Sequence, residues 1–158
     1  MRLFLDLIVI NLLFIGACAP EQPVSKAVEE IARETKPLKP DEKVNNLTTA
    51  PILVTGYKFT KDDKLDLHHV RLKAVKNAIL NFLAQAKELN KNYVLIITGK
   101  GIHSTEKYAL SDGTEVGAIK FHVLRWLQEG TFSDFIKDYS YANVAHGGEG
   151  ALYIEIKP

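Results

Sequence analysis

Between Leu72 and Leu89 the apolar residues Val75, Ala78, Ile79, Phe82, Leu83 and Ala86 recur at three- and four-residue intervals. Lys73, Lys76, Asn77 and Lys87 fall elsewhere, so the segment predicts a helix with one apolar stripe. Tyr93-Val94-Leu95-Ile96-Ile97 follows as an unbroken apolar run between polar breaks. That is the pattern of a strand covered on both faces. A shorter strand with alternating polarity, Leu65-Asp66-Leu67-His68, precedes the helix. Gly99 to Gly113 reads as a polar loop. Asp112 and Glu115 have the spacing of a capping box, and Val116, Ile119, Val123, Trp126 and Leu127 then mark one face of a second helix ending near Gly130. A third strand is expected between Phe132 and Ala142, and Ala151 to Ile156 is the last.

The predicted order is β-α-β-α-β-β, a small two-layer α/β domain with a mixed four-stranded sheet and two helices. Right-handed strand-helix-strand crossovers make strands one to three run the same way, in a mostly parallel sheet whose last strand returns through a glycine-rich turn. Beyond the carboxyl ends of such strands lie the usual ligand sites. Three polar segments meet there: Asp66 with His68, the loop Thr98-Gly99-Lys100-Gly101-Ile102-His103-Ser104, and the turn His146-Gly147-Gly148-Glu149-Gly150. Each also has a purely structural reading. Asp66 and His68 can pair to cap a strand end, and the glycines can serve turns and a bulged hairpin. His69, Lys120 and His122 read as surface residues and Trp126 as core.

Composition narrows this picture only a little. Twenty basic and nineteen acidic residues leave a net charge of +1 in 158 residues. No overall field therefore draws the chain to nucleic acid or membrane, although a local basic face is compatible with that balance. One cysteine excludes an internal disulfide and a Cys-rich zinc site. Gly99-Lys100-Gly101 lacks the surroundings of a phosphate-binding P-loop, and Ser104 stands where a dinucleotide fingerprint needs glycine. His146-Gly147-Gly148 has no Gly-x-Ser-x-Gly elbow to accompany it.

The amino terminus is a separate matter. Arg2, an apolar stretch to Ile15 and Gly16-Ala17-Cys18 describe a signal segment over residues 1–18. The small residues before Cys18 resemble a lipoprotein lipobox, which would lipidate Cys18 and attach the chain to a membrane. Asp6 and Asn11 interrupt the apolar run, and translated upstream sequence is the competing reading. Residues 19–64, punctuated by Pro23, Pro37, Pro40 and Pro51, read as a linker or arm with a short amphipathic helix over Ser25 to Glu34.

Leu65-Asp66-Leu67-His68, Thr98-Gly99-Lys100-Gly101 with His103-Ser104, Gly117-Ala118-Ile119-Lys120 through Trp126-Leu127, and His146-Gly147-Gly148-Glu149-Gly150-Ala151 together resemble the Smr (small MutS-related) domain in order and spacing. The likeness spans about Leu65 to Ile156, and the arm ending in Lys36-Pro37-Leu38 looks like the leader of stand-alone Smr proteins. The resemblance implies a fold like the C-terminal domain of bacterial translation initiation factor 3, DNA or RNA as partner, and endonuclease or nicking activity in several members. The family's Asp-x-His falls on Asp66 and His68, and its Thr-Gly-x-Gly on Thr98, Gly99 and Gly101. One departure is His69, where the family usually has glycine.

On this reading His68 is a general acid or base oriented by Asp66, and His103 is the second acid/base candidate. Thr98, Gly99, Lys100, Gly101, Gly147 and Gly148 hold a phosphate. A divalent metal such as Mg, with Asp66, His68, His103 and His146 as conceivable donors, stays open. The first rival is a binding module without catalysis, with Lys100, Lys107, Lys120 and Arg125 on the phosphate backbone. The second is an envelope lipoprotein reusing the scaffold.

Overall fold

A computed structural model describes residues 44–47, 51–52, 54 and 56–158. The signal segment with Cys18 and the helix expected over Ser25 to Glu34 lie outside the described residues. Strand β1 (Lys64–Asp66) leads to helix α1 (Leu72–Glu88) and strand β2 (Tyr93–Ile97). A hairpin of β3 (Lys107–Ala109) and β4 (Glu115–Gly117) comes next, then helix α2 (Ala118–Gln128), β5 (Ile136–Tyr141) and β6 (Ala151–Ile156). Among the described residues no helix is long and apolar enough to cross a membrane.

Helix α1 buries Val75, Ile79, Leu80, Leu83 and Ala86, as its periodicity requires, and Lys76 is drawn in beside them. Both helices stop at a residue in the left-handed region, Asn90 (φ 51°) and Gly130 (φ 72°). In β2, Val94 and Ile96 face the helices, while Leu95 faces a second apolar cluster on the other side of the sheet. β6 divides its residues in the same way, with Leu152, Ile154 and Ile156 toward the helices and Ala151 and Tyr153 away from them. The far cluster is completed by the arm: Ile52, Val54, Tyr57 and Phe59 lie against Leu95, Tyr93 and Tyr153. Both faces of the central strands are thus covered, which is why their sequences are apolar at every position but Glu155.

The expected mixed sheet with two helices is present, but its order is β1-β2-β6-β5. β1 and β2 are parallel, while β6 is antiparallel to both β2 and β5. β1, β2 and β5 therefore share a direction, as expected. The sheet is nonetheless not mostly parallel, because β6 inserts between β2 and β5 and leaves one parallel ladder of three.

The stretch read as one polar loop contains β3, and the segment read as the helix start contains β4, the two forming a hairpin with Lys107 opposite Gly117 and Ala109 opposite Glu115. Asp112 and Glu115 consequently do not cap a helix. Glu115 lies in β4, and Asp112 Oδ1 accepts the Thr114 amide at 2.9 Å in the hairpin turn. α2 starts instead at Ala118, after Gly117. This helix is enclosed nearly all round: Lys120, Phe121, His122, Val123, Leu124, Arg125 and Leu127 are buried. Lys120 and His122 are therefore not surface residues. The hairpin covers the side of α2 that a two-layer reading leaves to solvent, with Tyr108 stacked on Phe121 and edge-on to His122.

Candidate functional site

The carboxyl ends of β1 and β2 adjoin, since Asp66 pairs with Ile97 and the Leu67 amide donates to the Ile97 carbonyl at 2.9 Å. β1 then breaks into a turn closed by the Val70 amide on the Leu67 carbonyl. His69, third in that turn, has φ 65°, a conformation that suits glycine and strains any other residue. This is the position at which the Smr pattern has glycine, so the turn accounts physically for that glycine, and His69 carries the strain here.

The turn brings His68 back over Asp66. Asp66 Oδ1 accepts both the His68 amide at 2.8 Å and the His68 ring Nδ1 at 2.6 Å. Burial raises the Asp66 carboxyl, but these bonds and the nearby His68 charge outweigh it, so the group lies below the usual carboxylate value. Its contribution to stability is then complete above the unfolded carboxylate value and is lost as pH falls through the lower folded one. A carboxylate is a pure acceptor, so in the neutral imidazole the proton sits on Nδ1 and Nε2 keeps its lone pair. Nε2 faces the glycine loop: a Cβ built on Gly99 (φ 76°) would stand 2.9 Å from it. Any residue other than glycine at position 99 would push the imidazole away.

The loop has its own hydrogen-bond pattern. The Thr98 and Gly99 amides both donate to the Gly150 carbonyl at 2.9 Å, which ties the loop to the final turn. The Ser104 amide donates to the Gly101 carbonyl. Between them, the amides of Lys100, Gly101, Ile102 and His103 donate to nothing among the described residues. Lys107 Nζ donates to the Gly101 and Ile102 carbonyls at 2.5 and 3.0 Å. In a trans peptide the carbonyl and the following amide point oppositely, so the Ile102 and His103 amides are turned away from Lys107. Successive free amides with glycines in the left-handed region form the concavity known to receive anions.

A tight backbone contact holds this loop in place. A Cβ on Gly101 (φ 71°) would meet Gly117 N at 2.3 Å, so the two chains touch at the start of α2. A cleft of about 430 Å³ opens beside the loop, lined by His68, His69, Thr98 to Ser104 and Ile119. His103 shares it with His68. Ile102 stands 68% exposed at its rim.

The expected site residues do not all come together. Asp66, His68, Thr98, Gly99, Lys100, Gly101 and His103 gather at one sheet edge. Gly147 and Gly148 reach that edge only through Gly150, and their amides already donate to the Val144 and Asn143 carbonyls. His146 turns to the other face of the sheet, with Nδ1 at 2.6 Å from the Tyr153 hydroxyl and its ring edge-on to Phe59. Among the described residues no three His, Cys, Asp or Glu side chains converge as a metal-binding group. Asp66 Oδ1 is engaged by the amide and the ring of His68. Lys107, expected on the phosphate backbone in the binding-module reading, instead donates to the loop's own carbonyls and organises it. Its position six residues after Gly101 was the available signal for that role.

A mixed four-stranded sheet backed by two helices, with an Asp-x-His pair and a glycine loop of free amides at one edge, defines a small α/β domain equipped to hold an anion. The Smr domain profile matches residues 65–157, more than half of the chain, and the protein belongs to the Smr domain family. Among solved structures it is similar to YdaL, a stand-alone small MutS-related protein from Escherichia coli. That match has 28% identity and a TM-score of 0.51, covering 66% of this chain and 70% of that one. The Smr domain of Thermus thermophilus MutS2 matches at 17% identity with a TM-score of 0.47, over 60% of this chain and 98% of its own. No curated protein matches.

Proposed function

We propose that this Smr domain binds nucleic acid at the sheet edge and cleaves a phosphodiester bond there. The observation that carries the reading is the orientation of His68, whose Nδ1 is held by Asp66 while Nε2 faces the glycine loop. A phosphate seated on the Ile102 and His103 amides, with Lys100 alongside, would lie next to a basic nitrogen. In the step proposed, His68 Nε2 takes a proton from the attacking water as its oxygen bonds to phosphorus. The bond to the leaving oxygen breaks, and His103 returns a proton to that oxygen. Asp66 stabilises the imidazolium that forms.

The pair is also exposed, with 51% of the His68 side chain and 59% of Asp66 open to solvent. That wetness favours the second reading, a binding module in which the same loop holds a backbone phosphate without chemistry.

Substitution separates the two readings. His68→Ala and Asp66→Asn should each lower the cleavage rate by about a hundredfold or more, with binding nearly unchanged. The double variant should be hardly worse than the worse single one, since the two residues act as a unit. Cleavage that survives both changes overturns the catalytic assignment. Binding that falls with cleavage in a folded protein supports the module.

A further inference from the structure

Lys120, in the first turn of α2, is 4% exposed. Its ammonium nevertheless has poor company. Among the described residues the nearest carboxylate oxygen, Glu149 Oε2, is 3.9 Å away, beyond hydrogen-bond distance, and the Tyr141 ring centroid lies at 4.8 Å. Tyr141 is engaged elsewhere, its hydroxyl donating to Asn46 Oδ1 at 2.6 Å, and Asn46 in turn donates to Asp112 Oδ2 at 2.7 Å. A buried cation is ordinarily matched by close acceptors, because its lost hydration must be replaced. Here burial outweighs the attraction of Glu149 and Asp112 and holds the ammonium below the ordinary lysine value.

Glu149 is an unusual partner for such a group. Its side chain is 72% exposed, and it sits between Gly148 (φ 57°) and Gly150. Leaving Lys120 would cost it little, since it is already mostly in water. The position of the pair is equally specific. Lys120 follows Gly117, which touches Gly101, while Glu149 precedes Gly150, against which Lys100 packs. The pair is therefore joined, through Gly117 and Gly150, to the two segments that pack on the glycine loop.

We propose that Lys120 is a second anion site beside that loop, taking a neighbouring phosphate of the nucleic-acid backbone, and that Glu149 occupies it until the phosphate displaces the carboxylate. The inference rests on the reading of this edge as a nucleic-acid site. A phosphate offers several charged acceptors to an ammonium whose three donors have none within hydrogen-bond distance among the described residues, so the exchange replaces a loose pair with a charge-assisted hydrogen bond. Glu149 then acts as a guard that lowers affinity for incidental anions and is expelled by a polyanion.

The test uses the full chain and labelled single-stranded oligonucleotides of mixed sequence, DNA and RNA, titrated across a range of salt. Glu149→Gln should tighten binding about five- to tenfold. Lys120→Met, which keeps the apolar stem, should weaken binding and reduce the slope of log affinity against log salt by about 0.7, the share of one phosphate contact on a single strand. In the double variant the gain from Glu149→Gln should vanish. An unchanged slope for Lys120→Met, or an equal gain from Glu149→Gln in both backgrounds, overturns the proposal, since Glu149 is then only a surface charge. If Lys120→Met melts early and cannot be read, Glu149→Gln still decides, because its side chain supports no packing and a lack of tightening refutes the guard. Absence of any binding by the unmodified chain removes both the nucleic-acid reading and this one. Binding with an unaltered slope removes this one alone.

Discussion

In the turn from Asn143 to Gly150, the amides of His146, Gly147, Gly148 and Gly150 all donate to carbonyls of the same turn. In the loop from Gly99 to Ser104, four successive amides donate to no group among the described residues, and the carbonyls opposite two of them are held back by Lys107. Both segments are rich in glycine, both reach the same end of the sheet, and both read equally well as phosphate cradles in sequence. Their difference is one of hydrogen-bond accounting. A glycine in the left-handed region frees the chain to bend, but it makes an anion site only where the amides it turns outward lack a carbonyl partner. The final turn engages four of its amides in its own geometry, both glycine amides of the expected cradle among them, and serves as a brace, with the Gly150 carbonyl receiving the Thr98 and Gly99 amides.

The largest effect expected from this contrast is at Gly101. A methyl there collides with the Gly117 backbone at 2.3 Å and must also adopt φ 71°. Gly101→Ala should therefore cost about 3 kcal/mol or more of stability, from overpacking and backbone strain together. Binding should fall with it, and a thermal melt beside an oligonucleotide titration checks both. A variant that melts like the parent would mean that the loop does not rest on the start of α2.

An intermediate effect is expected at Lys107. Lys107→Met removes the ammonium from the Gly101 and Ile102 carbonyls, at a cost of about 1 kcal/mol for an exposed charged hydrogen bond. Oligonucleotide affinity should drop severalfold because the loop loosens, yet the salt slope should stay as it was. A slope reduced by about one phosphate contact would instead place Lys107 on the backbone of the ligand.

The smallest effect belongs to Gly148. No atom lies within 4 Å of a Cβ built there, and only its φ of 57° resists a side chain. Gly148→Ala should cost about 1 kcal/mol, the usual penalty of the left-handed region, and should leave nucleic-acid binding unchanged. A marked loss of binding would show that the final turn is a cradle after all and would dissolve the contrast between the two loops.

Much of this molecule was legible before any fold was known. The stripe from Val75 to Ala86 can be satisfied only by a helix, and the runs at Tyr93–Ile97 and Ala151–Ile156 only by buried strands, because burial is decided locally by the period of apolar positions. The Asp-x-His and Thr-Gly-x-Gly segments were visible as chemistry for the same reason, since their meaning lies in residue type and short spacing. His69 marks the limit of that local view. A histidine in the place of glycine was noticeable in the sequence, and the turn that makes it strained was not.

Tertiary packing decided the rest. The insertion of β6 between β2 and β5 is a pairing of distant segments that no window of sequence contains. The three-residue strands of the β3–β4 hairpin are too short to show a period, and they acquire their pairing by lying over α2. That cover packs on His122, while Lys120 lies against the Tyr141 ring and Glu149, and both are buried on a helix whose charged positions had suggested an open face. Which of two glycine loops keeps its amides free, and which lysine is an organiser rather than a ligand contact, likewise depended on long-range partners. Local pattern is set by neighbours along the chain. The availability of a donor or a charge is set by whatever the fold brings against it, so the candidate chemistry was readable from the sequence and its geometry only from the structure.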